Sequence, residues 1–358
     1  MEINPFAKIV QLVRSFKVVR HLDRQRFLVE MVRSMIVCRS VIFSELADKM
    51  ERDAKPSSLE RKIQDFFLKV TFDYQQLLKL LLAFIPAQKK LTLSIDRTEW
   101  DRGKHQYNIL CVIASIGKMG VPLYFELLDN NSGNSNHEDR IQLLKALFQQ
   151  VGKDRIERLV MDREFIGQKW LSWLKKADIP FCVRVPKSHK ITFADGSCYS
   201  AEEILEQTEG YFLGSDLVVD GVVVNVSISR AKDGELLYFI GTLPAHKLKA
   251  LYKKRWTIEV FFQATKGRGF NMEQTGLQSD EKLRKLFAVV ALAYTICWAS
   301  GIEHGKTNPV KVKKHGYPQY SIFRRGLNLI REACRSRDMA MIERLWDVIL
   351  SQAYALDG

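Results

Sequence analysis

The chain of 358 residues has six cysteines but no C-x-x-C pair, and no histidine pair at zinc-ligand spacing. A disulfide scaffold and a zinc module are therefore not indicated. Cys38, Cys111, Cys182, Cys198, Cys297 and Cys334 lie scattered, mostly in apolar runs, as buried free thiols in a reducing compartment would. Nothing at the N-terminus has the form of a signal peptide, because the apolar run at 9–13 is short and interrupted. The apolar run at 286–299 is 14 residues long, too short for a membrane span, and reads as a buried helix. A cytoplasmic protein with no membrane partner is expected. Tryptophan is missing between Trp173 and Trp256.

Acidic residues are also in deficit, 41 against 55 basic ones, for a net charge of +14. The excess sits at the two ends. Residues 1–90 carry 17 basic and 10 acidic side chains (+7), and residues 243–358 carry 20 and 10 (+10), whereas residues 91–242 carry 18 and 21 (−3). Basic flanks around a slightly acidic centre suit a polyanion held at both ends, with central carboxylates left for cations. The hydrophobic fraction of 46% argues for a folded chain long enough for two or three domains.

Helical spacing recurs at 26–37, 41–50 and 59–70, with Pro56-Ser57-Ser58 as an expected cap. Residues 1–90 thus read as a basic, helix-turn-helix-like DNA-binding domain. At 91–96 the texture changes to strict alternation, with Leu91, Leu93 and Ile95 on one face and Thr92, Ser94 and Asp96 on the other. Strands at 107–116 and 121–128 follow, joined by a hairpin turn at 117–120. Then come a loop at 129–136, a helix at 138–151, a buried strand at 158–161 ending at Asp162, a helix at 166–176 and a strand at 180–185.

Three meandering strands, helix, strand, helix, strand is the element order of a ribonuclease-H-like α/β core with a mixed sheet. Residues 91–185 and 243–275 are assigned to that core. Residues 186–242, with alternation at 217–228 and strand formers at 236–243, are assigned to a β-rich insertion domain. Residues 276–358 read as a helical C-terminal region with a loop at 303–318.

The stretch 251–266 places Tyr252, Arg255, Glu259 and Lys266 on one side of a helix. A carboxylate among Tyr, Arg and Lys suits a site holding a cation and a phosphate together. An intrahelical Arg255–Glu259 pair is the plainer alternative. Asp96, Asp162 and Glu259 would together form a hard-oxygen site for two Mg²⁺ or Mn²⁺ ions, the arrangement used for in-line phosphoryl transfer. Taken singly, Asp96 could cap a turn and Asp162 could pair with Arg163.

The motifs Asp96-Arg97-Thr98-Glu99-Trp100, Gly133-Asn134-Ser135, Met161-Asp162-Arg163-Glu164-Phe165 and Tyr252-x2-Arg255-x3-Glu259-x6-Lys266 together resemble the DDE transposases of bacterial insertion sequences. The last matches the Y-x2-R-x3-E-x6-K signature of the insertion sequence 4 family without a mismatch. The resemblance spans about residues 90–275 and is loose at both ends.

It implies that Asp96, Asp162 and Glu259 are the catalytic, metal-binding triad. Tyr252, Arg255 and Lys266 would grip backbone phosphates near the transposon end, with Arg97 and Trp100 as further DNA contacts. The implied partners are double-stranded DNA, as terminal inverted repeats and target, and a second copy of the chain. The implied activity is cut-and-paste transposition in the bacterial cytoplasm. Alternatives are a metal-dependent nuclease of the same core that joins no strands, and a DNA-binding regulator that does not cut. Some relatives use an insertion-domain tryptophan to receive a flipped base. Here Phe193, Tyr199, Tyr211 or Phe212 would have to stack instead.

Overall fold

Apolar residues at helical spacing give five helices before the first strand: α1 (Ala7–Phe16), α2 (Leu22–Cys38), α3 (Phe43–Asp48), α4 (Pro56–Lys69) and α5 (Tyr74–Leu82). The computed structural model describes residues 7–102, 105–117, 119–128, 135–314, 316, 318–336, 338, 340, 343–344 and 346–347. The helices α1 and α5 were not foreseen. Pro56 is the first residue of α4 rather than part of a cap. Lys55 holds the N-cap position without a side-chain bond, and the proline needs no N–H there.

Alternation at 91–96 continues into a long strand, β1 (Leu91–Arg102), followed by β2 (His105–Ile116) and β3 (Met119–Leu127) in antiparallel order. The expected turn at 117–120 falls partly outside the described residues. The next elements are α6 (His137–Val151), β4 (Ile156–Met161), α7 (Gln168–Lys176) and β5 (Phe181–Arg184), with β4 parallel to β1 and β5 parallel to β4. Then come β6 (Ile191–Thr192), β7 (Cys198–Tyr199), α8 (Ala201–Glu206), β8 (Tyr211–Val219), β9 (Val222–Arg230) and β10 (Leu236–Gly241).

All ten strands lie in one sheet in the order β3-β2-β1-β4-β5-β10-β9-β8-β6-β7. The first five have the ribonuclease-H-like arrangement. The β-rich stretch 186–242 extends that sheet, because β10 pairs antiparallel with β5. The alternation at 217–228 spans two strands: Asp220 and Gly221, both at positive φ, turn the chain between β8 and β9.

The helices α9 (Ala245–Tyr252), α10 (Trp256–Thr265), α11 (Asp280–Thr307) and α12 (Ile322–Ser336) complete the fold. The stretch 251–266 is therefore not one uniform helix. A 3₁₀ turn at Lys253–Arg255 tightens the junction, and Lys266 lies just past the end of α10 in extended conformation. The helix α11 runs five residues into the loop expected at 303–318. It is long and apolar enough to cross a membrane, yet 89% of its most apolar window is buried inside the protein, as a central core helix requires. Most of residues 341–358 lie outside the described residues.

The N-terminal helices share one continuous hydrophobic core with the sheet and α11. Lys285 on α11 donates to the carbonyl of Phe67 at 3.0 Å, tying α4 to the centre of the protein. At the α11–α12 crossing a Cβ on Gly326 would stand 1.7 Å from the carbonyl oxygen of Cys297, so only glycine admits that approach.

Candidate active site

Parallel pairing sets the first two carboxylates. Ile95 on β1 is in register with Met161 on β4, so the following residues, Asp96 and Asp162, emerge side by side although 66 positions apart in sequence. Asp96 stays within β1 opposite Cys111, while Asp162 leaves the sheet as the cap of a short 3₁₀ turn.

The third carboxylate is brought in from above. Ser94 and Ser115 hydroxyls meet at 3.2 Å on the covered face of β1 and β2, and Ser115 meets the Thr257 hydroxyl of α10 at 2.8 Å. This buried hydroxyl chain seats the first turn of α10 on the sheet, two residues before Glu259. The polar face of the 91–96 alternation is thus partly a helix-docking face, which alternation alone did not reveal.

Arg255 stands among the three acids. Its guanidinium donates to Asp96 Oδ2 at 2.6 Å, lies 3.7 Å from Asp162 Oδ2 and bonds Glu259 Oε1. Its Nε donates to the Tyr252 hydroxyl at 3.0 Å, and that hydroxyl donates to Asp162 Oδ1 at 2.8 Å. The intrahelical Arg255–Glu259 pair therefore exists, but as one arm of a hub joining two strands and a helix. Arg163, the alternative partner for Asp162, gives it a backbone N–H bond at 2.8 Å, while its side chain ion-pairs with Glu235 at 3.8 Å.

Three carboxylates against one guanidinium leave a local formal charge near −2. Burial pushes Asp96 up to about 7, against the pull of Arg255. Burial also opposes the charge on Asp162, but Arg255, the Tyr252 hydroxyl and the Arg163 N–H outweigh it and hold that carboxyl below its usual value. Burial works against the charge of Arg255, yet Tyr252 and the three acids raise its pKa overall. Among the described residues no three Asp, Glu, His or Cys side chains stand in coordinating geometry. The guanidinium occupies the space between these carboxylates.

The remaining expected residues fall into two groups. Lys266 reaches back across β1, with Nζ 3.0 Å from the Glu99 carbonyl, 3.2 Å from Glu273 and 5.9 Å from the Trp100 ring centre. Arg97 and Trp100, expected as DNA contacts, are turned into the protein. Arg97 has a side chain 10% exposed and bonds Glu99, Glu164 and Asn108. Trp100 is buried and stacks on Tyr107 at 5.1 Å. The two lie on opposite faces of β1, Trp100 held against Tyr107 and Arg97 held by its three partners at the wall of a cavity beside Glu259. This cavity of about 560 Å³ opens between Thr98, Phe262, Gln263, Lys266 and Arg268.

Three features near the site had no role assigned to them from the sequence. Glu164 lies close enough to Asp96 and Asp162 to interact with both charges, and its buried Oε1 has no hydrogen-bond partner. Arg140, buried on α6, donates to the Ser135 hydroxyl at 2.8 Å and the Glu164 carbonyl at 3.0 Å, tying Ser135 to the Asp162 turn. Gly133 and Asn134 lie outside the described residues. Trp256 is 56% exposed directly after Arg255 and next to exposed Lys253 and Lys254, where a base could stack. Its position in the signature stretch was the available signal.

The fold is a ribonuclease-H-like mixed sheet, with three carboxylates gathered around one arginine beside β1 and the end of β4. The profile of the family described as "Transposase DDE domain" matches residues 84–296, more than half of the chain, and the chain belongs to that family. No curated protein sequence matches it. Among solved structures, a piggyBac transposase synaptic complex with hairpin DNA aligns at 12% identity over 93% of this chain and 76% of that one, with a TM-score of 0.45.

Proposed function

We propose that the protein is a cut-and-paste transposase of the insertion sequence 4 type. It would cleave DNA at terminal inverted repeats and join the freed 3′ ends to target DNA. The observation that carries this reading is the convergence of Asp96, Asp162 and Glu259 around Arg255 in a chain of the DDE family. The uninterrupted Tyr252-x2-Arg255-x3-Glu259-x6-Lys266 spacing supports the narrower assignment.

The donor set fits two Mg²⁺ or Mn²⁺ ions. It is all hard oxygen, it carries a formal excess of about two negative charges, and burial leaves Asp96 short of compensating positive charge. Asp96, Asp162 and Glu259 would hold the ions, which when bound activate the attacking oxygen and stabilise the leaving one. Arg255 serves as counter-cation in the metal-free protein. With cations held by the three carboxylates, the Arg255 guanidinium would be released to grip a phosphate of the bound strand. The Tyr252 hydroxyl now donates its one proton to Asp162; with a metal ion holding that carboxylate, the same proton would be donated to the phosphate instead. Lys266 adds positive charge at the mouth of the adjoining cavity. Arg97 and Trp100 act as supports that hold β1 and Lys266 in place.

Residues 1–90 would contribute sequence reading, with α4 presenting exposed Ser57, Ser58, Arg61, Lys62 and Gln64. Residues 186–242 would shield the cut end, where Tyr211, 62% exposed, is the freest aromatic face. Two copies would pair the two ends, in the bacterial cytoplasm. The test uses duplexes taken from the DNA flanking the coding sequence, with Mg²⁺. Cut ends that join a target plasmid support the reading. Cutting without joining identifies a nuclease, and binding without cutting a regulator.

A further inference from the structure

Arg39, Arg268, Arg324 and Arg331 come from three separate segments, the end of α2, the turn after α10 and the helix α12. Hydrogen bonds fasten these segments together. Arg324 donates to the Arg268 carbonyl, Arg331 Nε donates to the Val37 carbonyl at 2.9 Å, and Asn271 Nδ2 donates to the Arg39 carbonyl at 3.5 Å. Among the described residues none of the four arginines has an ion-pair partner. Glu332, next to Arg331, is bonded to Arg335 instead.

This arrangement costs stability. Arg39, Arg324 and Arg331 are half-buried, and Arg39 sits in the left-handed region at φ 61°, where glycine or asparagine is the easier residue. Burial, and then the neighbouring like charges, lower the pKa of both Arg39 and Arg324. The C-terminus of α2 explains Arg331, whose guanidinium caps it, and favours the charge of Arg39, its C-cap residue, but it does not explain Arg324. Half-buried like charges without acids call for an anionic partner.

Position says which partner. Arg268 also lines the cavity that begins at Glu259, so the cluster continues that cavity away from the three carboxylates. We propose that Arg39, Arg268, Arg324 and Arg331 form a phosphate-binding surface for the duplex whose strand lies at Asp96, Asp162 and Glu259. This rests on the DNA-cutting reading above, and it gives α12 a role in holding the substrate.

The test measures binding of a fluorescein-labelled mixed-sequence duplex of about 40 base pairs, by anisotropy, between about 50 and 200 mM salt. Arg39→Gln with Arg324→Gln should bind about tenfold more weakly and lower the salt slope by roughly 1.8, since each lost phosphate contact removes about 0.9. Lys145→Gln with Lys153→Gln removes the same charge from the exposed side of α6 and the turn after it, outside the basic ends, and should leave the slope near that of the wild type. Arg39→Lys with Arg324→Lys should restore it. If the double glutamine variant does not fold, Arg39→Gln alone should lower the slope by about 0.9.

Equal losses in the two double glutamine variants, or none in the first, would overturn the proposal while leaving the cutting reading intact. So would patch variants that bind the first duplex normally but fail to capture a second one added later, since the occupant would then be target DNA. A wild-type protein that does not bind the duplex overturns both readings.

Discussion

At the scale of single residues, Arg255 ties the site together. Its guanidinium touches all three acids and the Tyr252 hydroxyl, and its side chain is only 11% exposed. Removing one partner from a largely buried ionic cluster leaves the rest uncompensated, at a cost of about 3 to 5 kcal/mol when burial is complete and less here. Arg255→Ala should therefore lower the thermal midpoint of the metal-free protein, and added Mg²⁺ should recover more of the loss than it adds to the wild type. Calorimetry with and without Mg²⁺ checks this, and equal metal effects in both proteins would contradict the counter-cation role. Sequence spacing placed Arg255 and Glu259 on one side of a helix. It could not show Arg255 bridging to Asp96 and Asp162, because that contact depends on how α10 docks.

At the scale of elements, two small features set the docking. The Ser94–Ser115–Thr257 chain fixes α10 over β1 and β2. Replacing Thr257 with valine keeps the volume but removes the shortest of the Ser115 hydroxyl's hydrogen bonds, leaving it Ser94 and the Lys254 carbonyl, and should destabilise the protein by about 0.5 to 1.5 kcal/mol in urea unfolding. Cleavage should fall with it, because Glu259 is two residues away. At the α11–α12 crossing, Gly326→Ala forces a methyl into the Cys297 carbonyl and should cost about 1 to 3 kcal/mol in the same measurement. A variant as stable as the wild type would show that α12 can shift outward freely. The strands β1 to β5 were legible because alternation and short buried runs are local signals. The helix α8 and the hairpin within 217–228 were not, since the first is a single short capped turn and the second keeps its alternation through a two-residue turn. The 3₁₀ break at Lys253–Arg255 left no mark in the apolar spacing.

At the scale of the whole molecule, the charge pattern and the core point to one assembly rather than independent modules. The two basic ends of the sequence meet where Arg331 on α12 bonds the end of α2, so charges far apart in the chain become one surface. Segment-by-segment charge counting shows the excess but not this meeting, because it arises only when α2, α11 and α12 pack. With roughly six or more phosphate contacts, DNA affinity should drop at least about a thousandfold between 50 and 200 mM salt, measurable by filter binding. A shallow dependence would mean that the basic ends do not hold the duplex.

The central claim is that Asp96, Asp162 and Glu259 form a metal-dependent cutting centre separable from DNA binding. It is tested most directly by Asp162→Asn, assayed for Mg²⁺-dependent cleavage and for binding of the same flanking-DNA duplex. Cleavage should fall by at least about a thousandfold, because several kcal/mol of charge stabilisation are lost, while the dissociation constant stays within about threefold of the wild type. Cleavage that persists, or cleavage and binding lost together in a folded variant, would contradict the account.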